Sequence, residues 1–96
     1  AKTVTVRNST FQGWTSYNPA TVVTFDDVAF IAGGTYNTVR PHGTTTFVNC
    51  QFEGTRILLD KLAAENSVVF QGCTYNGQPL AAENLESAAG KNVTIQ

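Results

Sequence analysis

The sequence predicts an all-β chain wound as a right-handed parallel β-helix of about four to five rungs, with one or two short helical turns near the C-terminus. Three observations predict it. A ten-residue phrase recurs as Val4–Gly13, Val23–Ala32, Thr45–Gly54 and Val68–Gly77, with a truncated copy at Val93–Ile95. Its aromatic advances from Phe11 to Phe30, Phe52 and Tyr75, in steps of 19, 22 and 23 residues, a period typical of stacked one-turn units. Inside each copy the apolar residues alternate with period two, as in a strand with one buried face.

Each copy reads as strand, sharp bend, strand. The first strand turns Val4, Val23, Thr45 and Val68 inward, then Val6, Phe25, Phe47 and Phe70. The bend falls at Asn8, Asp27, Asn49 and Gly72, residue types that tolerate left-handed backbone. Small side chains follow where two walls converge, at Ser9, Val28, Cys50 and Cys73. The second strand carries the aromatic inward and is closed by Gly13, Gly33-Gly34, Gly54 and Gly77. A third wall is expected from Trp14–Tyr17, Tyr36–Arg40, Arg56–Leu59 and Pro79–Leu80. Asp60–Asn66 and Ala81–Ala89 have helical composition, the latter ended by Gly90. An antiparallel sandwich also uses short, evenly spaced strands. Against it, an Asn-Gly hairpin signal occurs only at Asn76-Gly77, and equivalent positions recur at one rung length.

With 96 residues the chain reads as a single β-helix domain spanning residues 1–96. A net charge of −1 and 14% charged residues, with no basic cluster, argue against nucleic acid as a partner. No apolar run is long enough to span a bilayer, so membrane insertion is not expected. Ala1 fits either a trimmed start or an excised fragment, and the opening residues lack the pattern of a signal peptide.

Catalytic and metal-binding constellations are sparse. Cys50 and Cys73 occupy one place in adjacent rungs, as filling thiols or as a disulfide, and two cysteines fall short of a four-ligand zinc site. His42, the only histidine, has no nucleophile or orienting acid at a recognisable spacing. Asp26 and Asp27 are consecutive and so point to opposite sides of a strand. The expectation is therefore no catalytic residue, no metal and no cofactor. Two surface features remain as candidate binding residues. One is an outward hydroxyl column, Thr5, Thr24, Thr46 and Thr94, interrupted by Val69. It is first of all what an exposed β wall prefers, and secondarily a surface for polysaccharide, another β wall or ice. The other is the group Trp14, Tyr17, Tyr36, Arg40 and His42, whose aromatics could stack on sugar rings or simply cover the third wall.

The phrase Thr46-Phe-Val-Asn-Cys-Gln-Phe52, echoed at Val69–Tyr75, resembles the repeats of right-handed β-helix proteins in bacterial surface adhesins and in phage tail and capsid proteins. Phe11–Tyr17 and Arg40–Cys50 are similar to repeats in gut-bacterial and phage β-helix proteins. The resemblance spans the chain, yet its motifs specify rung geometry. Polysaccharide lyases and pectin-degrading hydrolases share that architecture, but their acidic clusters or basic catalytic residues have no counterpart here.

A short solenoid has two open ends that something must cover. The sequence shows no polar cap at either terminus. The functional expectation is thus a non-enzymatic structural or adhesion module in a virion, as capsid decoration or spike, or at the bacterial cell surface. It would pair with other protein subunits, with a homotrimer expected. A carbohydrate-binding or carbohydrate-processing domain is the alternative, discriminated by whether the aromatic group converges on one groove.

Overall fold

The computed structural model describes residues 3–35 and 37–96, wound into a parallel β-solenoid of about four turns. Its first sheet stacks β1 (Thr3–Arg7), β4 (Val22–Asp26), β7 (Thr45–Val48), β10 (Val68–Gln71) and β14 (Val93–Ile95), all parallel. The second stacks β2 (Thr10–Phe11), β5 (Ala29–Ile31), β8 (Gln51–Glu53) and β11 (Thr74–Tyr75) in parallel, and β12 (Gln78–Pro79) closes it antiparallel. The third stacks β3 (Trp14–Thr15), β6 (Thr38–Arg40), β9 (Arg56–Leu58) and β13 (Leu85–Glu86).

The register puts like on like. Val4, Val23, Thr45, Val68 and Val93 form one inward column, and Val6, Phe25, Phe47, Phe70 and Ile95 the next. Phe11, Phe30, Phe52 and Tyr75 line up across the corner. Phe25, Phe47 and Phe70 stack nearly parallel at centroid spacings of 5.2 and 5.0 Å, close to the ~4.8 Å strand spacing that imposes them. Phe30 and Phe52 repeat this at 5.1 Å and meet the first stack edge-on. Val39 and Ile57 complete the buried triangle from the third sheet.

The bend column behaves as its residue types dictate. Asn8, Asp27, Asn49 and Gly72 have φ of 52, 58, 52 and 65°, so each turn reverses at a left-handed residue. The position after it does more than fill space. Ser9 Oγ donates to the Arg7 carbonyl, Cys50 Sγ to those of Val48 and Phe25, and Cys73 Sγ to that of Phe47. A small donor there adds a hydrogen bond to carbonyls at the corner. Both cysteines are free and buried, which settles the thiol alternative.

Three expectations are corrected. The fourth strand of the third wall is Leu85–Glu86 rather than Pro79–Leu80, because Asn76 (φ 51°) and Gly77 (φ 82°) form a hairpin that folds Gln78–Pro79 back on β11. The segment 60–66 is turns without helix, its chain too short for a stable helix once Leu62 is buried, whereas the short helical turn expected in 81–89 forms as the 3-10 turn Ala82–Asn84. The C-terminal end is also partly capped, by the hairpin and by Lys91 Nζ donating to the Leu62 carbonyl. No helix is long and apolar enough to cross a membrane.

Candidate functional site

The hydroxyl column forms as expected. Thr5, Thr24, Thr46, Val69 and Thr94 are successive neighbours on the outward face of the first sheet. Thr5 and Thr94 at the two ends are exposed and Thr24 and Thr46 between them half-buried. Val69 breaks the hydroxyl spacing, and Val22 and Val48 stand on the same face, so the wall is a mixed β surface rather than a continuous hydroxyl array.

The aromatic group divides. Trp14 is half-buried and sets its ring edge-on to Phe25 at 4.8 Å, so it belongs in part to the core. Tyr17 is the opposite case, 81% exposed. Its φ of 59° and the hydrogen bond from the Asn18 amide to the Ser16 carbonyl, 2.7 Å, make it the centre of a γ-turn. His42 lies beside it, ring centroids 5.9 Å apart, and the His42 amide donates to Ser16 Oγ at 2.8 Å. Partial burial, then Arg40, lowers the His42 pKa, so the ring favours its neutral form. Tyr36 lies outside the described residues.

Arg40 and Arg56 project from neighbouring strands of the third sheet, each in a two-point pair with a carboxylate. Arg40 Nε and Nη2 reach Asp60 at 2.9 and 2.8 Å, and Arg56 Nε and Nη2 reach Glu86 at 2.9 and 2.7 Å. These hydrogen bonds hold both carboxyls below their ordinary range and both guanidinium pKa values above theirs. The two charges are thereby neutralised in place.

Trp14, Tyr17 and Arg40 meet in one open groove of about 450 Å³ along the third sheet. Sequence reasoning missed the rest of its lining, including Asn37, Thr38 and Arg56, since they come from three turns of chain and share no linear motif. His42 backs Tyr17 without lining the groove, and the threonine column stands on a different wall. Among the described residues no cluster of three or more His, Cys, Asp or Glu could hold a metal ion.

Asp26 and Asp27 do not form an acid pair. Asp26 ends β4 beside Arg7 at 3.6 Å, and Asp27 occupies the bend. The two thiols are buried and share a hydrogen bond that pushes the Cys50 pKa upward and lowers that of Cys73 to about 7, so burial is what keeps Cys73 from reagents.

Comparison with protein-family models, curated proteins and solved structures finds no match for this chain. The fold and the groove therefore carry the functional argument by themselves.

Proposed function

We propose that the chain is a non-enzymatic structural or adhesion module that assembles with copies of itself through its N-terminal end face. The observation that carries this reading is an inequality between the two ends at the second sheet, since β13 and β14 leave open edges at the C-terminal end as well and Ile95 there is 37% exposed. At the N-terminal end all three sheets finish in parallel edges, β1, β2 and β3. The inward residues of that layer are all incompletely covered: Val4 is 44% exposed, and Val6, Phe11 and Trp14 are half-buried. At the other end β12 blocks the second sheet with an antiparallel strand containing Pro79, which has no amide to donate. Leu80 is buried there beneath the hairpin.

An apolar end layer with open edges is an interface pattern of stacking modules. In a body of 31 × 27 × 25 Å such a face offers roughly the ~800 Å² per partner of a standard interface. A virion component, such as a capsid decoration or spike, or a segment of a bacterial surface adhesin would use a module in this way. Free, buried thiols and a sparsely charged wall suit either setting.

Hydrogen exchange tests the reading locally. The β1 amides that do not bond to β4 should exchange slowly in concentrated protein and faster on dilution. Fast exchange at every concentration would mean that nothing covers the edge.

A further inference from the structure

We propose that the groove on the third sheet binds a neutral oligosaccharide. The groove shares Trp14 with the end face but opens along the outer side of the third sheet, and its ligand does not require assembly. Three features of the groove point to sugar.

Tyr17 holds the first. A bulky residue at positive φ is strained, and an exposed ring recovers little of that through burial. Yet the γ-turn sets this phenol at the lip of the groove, and His42 supports it from behind. Trp14 lines the same groove, with its position fixed by the edge contact to Phe25. Tyr17 is the exposed ring of the two, and an aromatic face of that kind is what the C–H face of a pyranose ring stacks on.

The second feature is the state of the arginines. Each spends Nε and Nη2 on a carboxylate, and Nη1 has no hydrogen-bond partner among the described residues. The arginines therefore bring fixed N–H donors to the groove, with their charge compensated by Asp60 and Glu86 outside its lining. Sugar hydroxyls accept from such donors, whereas a phosphate or uronate would need an uncompensated cation.

Third, the groove has suitable size. A volume of about 450 Å³ lies within the ~300–1,000 Å³ of ligand sites and accommodates a short oligosaccharide.

Trp14 is the only tryptophan, so its emission reports on the groove directly. The experiment titrates the protein with cello-, manno-, xylo- and malto-oligosaccharides, with oligogalacturonate as the acidic comparison. The partner variant is Tyr17→Gly, which relieves the backbone strain and removes the ring. At least one neutral sugar should shift Trp14 emission saturably, and Tyr17→Gly should weaken that binding about tenfold or more with its thermal stability kept or raised. No saturable shift with any neutral sugar up to about 10 mM would overturn the proposal, as would a response to oligogalacturonate alone or unchanged affinity in Tyr17→Gly.

Discussion

Phe47 lies flat against Phe70, ring centroids 5.0 Å apart and planes 6° from parallel, although a full turn of chain separates them. The contact follows from the register that pairs the two residues directly across β7 and β10. Phe47 is fully buried and also stacks on Phe25, so the substitution Phe47→Ala removes the middle of a column. It should cost about 3–5 kcal/mol in urea unfolding. A near-neutral effect would sink the register.

Asn49 sits in the bend column at φ 52° with its side chain exposed. Asn49→Gly should be within a few tenths of a kcal/mol of the parent, while the β-branched Asn49→Val should lose about 1–3 kcal/mol. The two variants differ in backbone tolerance far more than in buried contact, so equal melting temperatures would show that the bend does not constrain the turn.

Gly43 makes a different demand. It is buried, and a Cβ there would collide with the Thr21 carbonyl oxygen of the preceding turn. Gly43→Ala should therefore force two turns apart and cost about 1–3 kcal/mol or more by thermal melt. A melt like that of the parent would mean the turns do not approach so closely.

These positions mark what the sequence displays and what it hides. The columns of Val, Phe and Asn were legible because a solenoid repeats one environment, and one environment selects one residue type. The third wall was only half legible. Its strands are two or three residues long, and the hairpin at Asn76-Gly77 inserts a segment that displaces the last of them to Leu85–Glu86. Of the two short helical turns expected, the one in 81–89 forms as Ala82–Asn84, while 60–66 stays in turns that bury Leu62. Trp14, Tyr17 and Arg40 could be singled out as residue types, but their union in a groove depends on stacking three turns.

Acid should weaken the fold through the ion pairs of the third sheet. Asp60 and Glu86 have folded-state pKa values below their ordinary ones, chiefly through hydrogen bonds from Arg40 and Arg56. Their contribution is present above the ordinary carboxylate range and is lost as pH falls through the lowered values. His42 acts in the same sense, since burial lowers its pKa and stability is lost as the ring is forced to take a proton on acidification. Thermal stability should thus be flat above neutrality and decline on acidification, and Asp60→Asn should reduce the slope below about pH 4. A stability that rises on acidification would contradict the pairing.

Cys50 and Cys73 should remain thiols without reacting. Both are buried and donate to carbonyls of the corner, so a thiol reagent should label neither in native protein and both after unfolding. Rapid labelling of the folded chain would show that the corner opens.

The N-terminal end face is the central claim, and its most direct test is native mass by light scattering over a dilution series, beside the variant Val4→Glu. The expected result is a fixed multiple of the 10.3 kDa chain mass for the parent and a lower mass for the folded variant. A parent that scatters as a 10.3 kDa monomer at every concentration would contradict assembly through that face.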